Sequence, residues 1–406
     1  MTELVPLRHN RDFVLYQSGQ FLSIFGSSLS SIAYPLLTLA LTNSAAKTGY
    51  VGAVEFAPLI LFSPTAGVAA DRFDRRRLMI VSDVAAAIAL ALLAAAVATG
   101  HARFWLILVV AFVDTTAAVV FRSGASGAMK AVVPLPQLAD ASSVSMARGS
   151  IVRLVAPPLG GALFGISRAL PFLADAVSYA FSTVSLLMMR TPFQEPREPG
   201  ARTPFREGLA YFWSIPFLRT TIGMIAASNV IAVGAPIAVI ILAHREGFSS
   251  AAIGGLVALQ GATLLLGSVA SPLLRRLFPM RLILLSEFWT ALVYVAFLVY
   301  PNVYVLAVCS SLHAFWFPNT DSAIAAYSYA LIPDRLLGRA MAAANTLRAA
   351  SAPLGPLLAG LLLAHTTPRT CVFVLAAPVV VAAVLGTVSP ALRDLPSLEA
   401  SPAGAG

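Results

Sequence analysis

At 406 residues the chain has room for two domains, yet 58% of it is hydrophobic and only 11% charged, against about 25% charged residues in a typical soluble domain. With a mean hydropathy of +0.83, a water-soluble globular fold is excluded, because so much apolar surface needs a bilayer as its solvent. The formal net charge of +9 comes from basic residues at the ends of apolar blocks, with no continuous basic patch, which argues against a nucleic-acid partner.

The apolar residues arrive in twelve blocks of roughly 20 residues or more, the length a helix needs to cross a hydrocarbon core. The polar start, Met1–Asp12, lacks an apolar core followed by a cleavage pattern, so no removable signal peptide is expected. In the first block, Phe13–Leu41, the residues Gln20, Ser23, Ser27, Ser30 and Tyr34 recur at alternating steps of three and four. They share one helical face, expected to line a substrate cavity. The second block, Tyr50–Ala70, contains Glu55 and runs into Gly67-Val-Ala-Ala-Asp71-Arg72-Phe73-Asp74-Arg75-Arg76-Arg77. There Gly67 permits close helix approach, Asp71 suits a helix N-terminus, and Arg72, Arg75 and Arg76 can pair with carboxylates. Such a cluster can latch one conformation, and Asp83 in the third block, Leu78–Thr99, with Arg122 at the end of the fourth, Phe104–Gly124, extends it.

Asp114, near the middle of the fourth block, is the first candidate for a proton carrier, since carboxylates inside a membrane are costly and mark relays, pairs or cavities. Glu55 is the second. The fifth block, Ala141–Ile166, holds Ala156-Pro157-Pro158-Leu159-Gly160-Gly161, where proline kinks the helix and the glycines allow tight packing. In the sixth, Ala169–Met189, Asp175 is read as stabilising the outer end of helices five and six.

A polar stretch, Thr191–Ser214, separates these six blocks from six more, and within it Phe205, Leu209 and Phe212 share a face that fits an interfacial helix. The later blocks are Phe217–Ala243, Ala251–Leu274, Leu282–Val299, Val303–Leu331, Ala340–Ala364 and Cys371–Val388. The tenth carries His313, which can titrate near neutral pH, Asp321, and the aromatic pair Phe315 and Trp316 as apolar substrate contacts. Asn229 in the seventh is a further cavity candidate. The expected organisation is an all-α polytopic protein with a bundle over 1–190, a linker over 191–216, a second bundle over 217–390 and a tail over 391–406.

Of the 27 lysines and arginines, 17 fall on the side that holds the N-terminus and 5 on the other, which places both termini in the cytoplasm by the positive-inside rule. The halves also repeat. Arg77-Leu-Met-Ile-Val-Ser-Asp83 matches Arg281-Leu-Ile-Leu-Leu-Ser-Glu287, and Val133-Pro134 matches Ile332-Pro333. The second match has an offset of 199, which pairs Asp114 with His313 and Arg122 with Asp321. Parallel six-helix repeats with a site near the midplane are an architecture of secondary transporters.

The motif Gly67, Asp71, Arg72, Arg75 and Arg76 resembles the cytoplasmic signature of the major facilitator superfamily, with Asp74 in place of its second glycine, and Pro157, Gly160 and Gly161 are similar to its antiporter motif in helix five. Within it the chain resembles the enterobactin-exporter and macrolide-efflux group, through AGVAADRFDRRR, Phe121-Arg122, PLPQLADASS, FLADAVSYAFS and REGLAYF. That group often has an acid after the first-helix glycine, whereas here Gly26 precedes Ser27. The resemblance implies two pseudo-symmetric six-helix bundles and proton-coupled efflux of a small lipophilic, drug-like or natural-product molecule by a monomer in the cytoplasmic membrane. Import of a small metabolite and a membrane-embedded lipid handler are the alternatives. No Walker-type sequence, His-Glu-x-x-His or Cys/His metal spacing occurs, so neither enzyme chemistry, a cofactor nor a metal is expected.

Overall fold

The computed structural model describes residues 6–125, 127–193, 205–393 and 395. Among them there is no strand. In chain order the helices are α1 (Arg11–Thr42), α2 (Ala45–Val54), α3 (Ala57–Arg72), α4 (Arg75–Ala98), α5 (Phe104–Ala125), the short α6 (Ala128–Val132), α7 (Leu138–Ile166) and α8 (Leu170–Met188). After the linker come α9 (Phe205–Ser214), α10 (Pro216–Arg245), α11 (Ser250–Leu277), α12 (Met280–Trp289), α13 (Val295–Val299), α14 (Val303–Leu331), α15 (Asp334–Ser351), α16 (Leu354–His365), α17 (Pro368–Val388) and α18 (Pro390–Arg393).

Ten helical stretches of the described residues are long and apolar enough to cross a membrane, and the two expected spans outside that set have physical reasons. The second block is broken at Glu55–Phe56 into α2 and α3. Pro58 has no N–H to continue the ladder from α2, so the helix restarts around it. The tenth block is one long helix, α14, but its buried Ser310, Ser311, His313, Asn319 and Thr320 lower its apolarity. The eleventh block is divided at Ala352–Pro353, between α15 and α16, although both residues keep helical dihedrals.

Side chains that face outward from these helices are largely apolar, including Ile88, Leu92, Val177, Leu266 and Val269, the last 71% exposed. A soluble protein does not sustain apolar surface on this scale, whereas lipid solvates it and the helices satisfy their own backbone groups. The chain is a multi-pass membrane protein.

Contacts divide it into two compact units. One comprises Met1–Pro199 with Ile240–Ala258, the other Gly200–Val239 with Leu259–Gly406. In the first unit α1 packs on α7 and α8, α4 on α5 and α8, and α3 on α5. Gly26 lets α1 meet α8 closely, since a Cβ there would lie 2.6 Å from the Asp175 carboxyl oxygen and 2.8 Å from the Ser178 Cβ. In the second unit α12 packs on α14 and α17, α16 on α17, and the linker helix α9 on α15. Phe212 of α9 is buried there, and the Tyr211 hydroxyl donates to the Leu331 carbonyl at 3.3 Å.

Two local structures recur between the units. Val133 and Ile332 are both extended residues that end a helix, each N–H reaching back four residues, to Met129 and Ser328. The prolines that follow, Pro134 and Pro333, have φ,ψ of −57°, 143° and −58°, 143°. Likewise Arg76 donates to the Leu186 and Leu187 carbonyls at the end of α8, and Arg281 to the Thr387 carbonyl at the end of α17. Arginine is favoured at both places because the last carbonyls of a helix lack partners and carry partial negative charge.

Close backbone approach gives a stability prediction. A Cβ on Gly267 of α11 would overlap the Phe315 carbonyl oxygen of α14, whereas one on Gly255 of the same helix would meet nothing within 4 Å. Gly267→Ala should destabilise the detergent-solubilised protein by about 1–3 kcal/mol, the usual cost of overpacking. Gly255→Ala should be neutral or slightly stabilising, by about 0.5–1 kcal/mol. Thermal unfolding followed by tryptophan fluorescence reads both, and equal behaviour of the two variants would refute the packing argument.

Candidate functional site

The first unit gathers its buried polar groups around Asp114. This carboxylate, on α5, accepts a hydrogen bond from the Tyr34 hydroxyl of α1 on Oδ2 at 3.1 Å and from the Tyr179 hydroxyl of α8 on Oδ1 at 3.0 Å. Tyr34 is itself held by the ring of Phe172, with centroids 5.2 Å apart. The Tyr179 oxygen lies 3.0 Å from the Ser27 Oγ, which lies 3.5 Å from Asp175 Oδ1. Asp175 is fully buried, accepts a 3.2 Å bond from Ser178, and its Oδ2 has no partner. Glu55, in the turn between α2 and α3, interacts electrostatically with Asp114. No arginine or lysine forms an ion pair with Asp114 among the described residues.

Ser27 and Tyr179 also line a cavity of about 560 Å³, with Gln20, Ser23, Phe121 and Arg122 among its other walls. The expected polar face of the first helix therefore does face a cavity through Gln20, Ser23 and Ser27, while Tyr34 lies deeper, on Asp114. The volume falls within the roughly 300–1,000 Å³ of small-molecule sites.

The motif residues are distributed more widely. Arg72 is exposed, and Gly67 and Asp71 have helical backbone, while their side chains lie outside the described residues. The Arg75 guanidinium occupies the space a Cβ on Gly127 would need, and Arg76 caps α8. Asp74, the departure from the family signature, is the N-cap of α4: its Oδ1 accepts from the Arg77 N–H at 2.8 Å, the role a short carboxylate performs best. Asp83 is buried with Oδ2 unpartnered, and no ion pair joins it to Arg122 among the described residues. In α7, Gly160 packs against Leu29 and Ile32 of α1, Gly161 against the backbone at Ser250, and the Pro157 carbonyl against Gly254.

The second unit has its own polar centre, and its acid was not among the residues singled out from sequence. Glu287 of α12 is buried and accepts a short hydrogen bond from the Ser228 hydroxyl of α10. Ser228 also contacts His313 Nε2 at 3.1 Å, Thr290 contacts His313 Nδ1 at 3.4 Å, and His313 Nε2 lies 4.0 Å from Glu287 Oε1. The signal for Glu287 was in the repeat, where it closes the motif that Asp83 closes in the first half. Asp321 is held in a 2.6 Å ion pair with Arg348, and both line a smaller cavity of about 240 Å³. Asn229 donates to the Arg348 carbonyl at 2.9 Å and to Ser351 at 3.3 Å, so it ties α10 to α15. Phe315 and Trp316 stack edge-to-face, with centroids 5.4 Å apart.

The chain is 25% identical over 399 residues to the multidrug efflux pump Tap of Mycobacterium tuberculosis strain H37Rv, covering 91% of each. It is 23% identical over 203 residues to macrolide efflux protein A of Streptococcus pyogenes, where the match spans about half of each protein. Among solved structures it superposes on the nucleoside transporter NupG (D323A mutant) with a TM-score of 0.75 at 12% identity, covering 94% of this chain and 99% of that one. A bacterial homologue of the iron transporter ferroportin in its inward-facing state gives 0.74 at 15%, covering 94% and 99%, which shows the shared fold. A family model described as transmembrane secretion effector matches residues 1–404, and the chain therefore belongs to this family of the major facilitator superfamily.

Proposed function

We propose that the protein is a secondary active transporter that exports a small lipophilic, drug-like or natural-product molecule across the cytoplasmic membrane in exchange for protons, by alternating access. The observation that carries this reading is the contact between cavity and carboxylates: Ser27 and Tyr179 belong to the wall of the 560 Å³ cavity and to the hydrogen-bond chain that reaches Asp114 and Asp175. A ligand in that cavity perturbs the hydroxyl groups through which the carboxyls exchange protons. Asp114 has no counter-cation among the described residues, and burying a lone ionised carboxylate is costly, so it suits a proton that arrives and leaves. Names of the relatives, a macrolide efflux protein and a multidrug efflux pump, support the outward direction.

In this reading 1–190 and 217–390 are the two moving halves, 191–216 the linker and 391–406 a tail, the protein works as a monomer, and both termini are cytoplasmic. Gly67, Asp71, Arg72, Arg75, Arg76, Asp83 and Arg122 form the latch of one conformation. Pro157, Gly160 and Gly161 set the packing of α7. His313 and Asp321, with Glu55, are secondary coupling candidates.

Everted membrane vesicles test the reading. Once energised, their internal acidification should partly collapse on addition of a transported probe from a set comprising ethidium, Nile red, fluorescein and erythromycin. Asp114→Asn should reduce that response at least tenfold. Tyr179→Phe, which removes the hydrogen bonds to Asp114 and from Ser27, each worth about 0.5–1.5 kcal/mol, should slow it by a smaller factor. Undiminished exchange in Asp114→Asn would remove the carrier assignment, and transport that survives collapse of every ion gradient but stops on ATP depletion would remove secondary transport.

Topology has an independent check, because Lys47 and Arg72 are exposed at opposite ends of the α2–α3 segment while the native Cys309 and Cys371 are buried. In intact cells a membrane-impermeant maleimide should label Lys47→Cys and leave Arg72→Cys unlabelled. The reverse pattern would invert the assigned orientation.

A further inference from the structure

Among the described residues, Arg122 is the arginine that lines the 560 Å³ cavity of the first unit. Arg76 is spent on the carbonyls that end α8, and Arg148 on the Gln17 side chain at 2.6 Å. Arg122 is exposed, lines the 560 Å³ cavity, and has no hydrogen bond or ion pair among the described residues. It lies eight residues from Asp114 on α5, and the cavity residues Ala118, Phe121, Arg122 and Ala125 continue the helical face that Asp114 begins. Eight residues amount to about 12 Å along the axis, so the guanidinium and the carboxylate centre are separated along one wall.

No Asp or Glu is among the described residues that line this cavity; its other polar groups are hydroxyls and the Gln20 amide, beside apolar Ile24, Ala118 and Phe121. A cation near a helix C-terminus also complements the helix dipole, but that role does not require a side chain turned to the cavity. A guanidinium in a partly apolar recess, with no counter-ion among the described residues, matches a planar oxyanion, to which its fixed fork can donate two parallel hydrogen bonds.

We propose that Arg122 is a substrate-recognition residue and that the molecules this cavity takes are amphiphiles bearing a carboxylate, whose apolar body lies along Ile24 and Phe121 and whose other polar atoms meet the serines of α1. This rests on the reading of the cavity as the transport site. The anion binds at the Arg122 end, and the carboxyls behind Tyr179 stay free to handle protons at the other.

Three probes of matched shape, 1-naphthoate, 1-naphthamide and 1-naphthylmethylammonium, separate charge from size. Equilibrium binding to the purified full chain in a neutral detergent, followed by quenching of tryptophan fluorescence, should rank naphthoate at least tenfold above the amide and rank the ammonium last. Arg122→Gln should weaken naphthoate at least tenfold and the amide less than threefold, while Arg122→Lys keeps part of the preference. Size exclusion and thermal unfolding of both variants confirm their fold, and the lysine variant carries the test if the glutamine variant fails to fold. Equal affinity for naphthoate and amide in the native protein, or an equal loss for both in Arg122→Gln, overturns the proposal. Because binding is read without any gradient, naphthoate selectivity with no export would sink only the transport reading, and export without selectivity only this one.

Discussion

A carboxylate in hydrocarbon has to find its solvation within the protein, and in the first unit the solution is a pair of tyrosines. Asp114 draws Tyr34 from α1 and Tyr179 from α8 to the same two oxygens of α5, so three helices are tied at one depth. Neutral hydroxyls hydrogen-bond either protonation state, which an arginine partner does not do, because it would bind the charged form and oppose protonation. The same choice leaves Asp175 within reach through Ser27, and Gly26 keeps α1 near enough to α8 for that link to exist. The hydrogen-bond chain from the cavity wall and the packing of α1 on α8 follow from how one buried acid is satisfied.

The second unit meets the constraint with other chemistry. Where the repeat register puts His313 at the place of Asp114, the acid comes instead from α12 as Glu287, and Ser228 bridges the two. At the place of Arg122 stands Asp321, already neutralised by Arg348. The first half therefore presents to its cavity a cation with no ion pair among the described residues, and the second an ion pair. In the repeat register these paired positions carry different charges.

Arginine recurs as a cap at helix ends in both units, and it explains part of the basic motif before α4. Arg76 and Arg281 stabilise the ends of α8 and α17 within their own units, a job that positive charge at helix ends performs apart from any effect on topology. Asp74 belongs to the same local logic, since a signature glycine has been replaced by a residue that caps the helix it precedes.

Much of this was legible in the sequence by itself, because the properties concerned are local or periodic. Apolar blocks give the helices and the membrane, the step-three and step-four polar residues give the face that lines the cavity, and the Val-Pro and Ile-Pro pairs give the repeat, which the backbone reproduces. Pro58 held the signal for the break at Glu55–Phe56, outvoted by the length of the apolar run. What only the tertiary structure decided is which polar groups meet: that Asp114 takes two tyrosines and no arginine, that Asp175 joins Ser27, that Glu287 pairs with Ser228 and His313, and that Arg122 faces a cavity, not Asp83. Helical periodicity specifies a face but not the neighbour it turns to, and a buried charge is characterised by its partners, which come from helices up to 150 residues away.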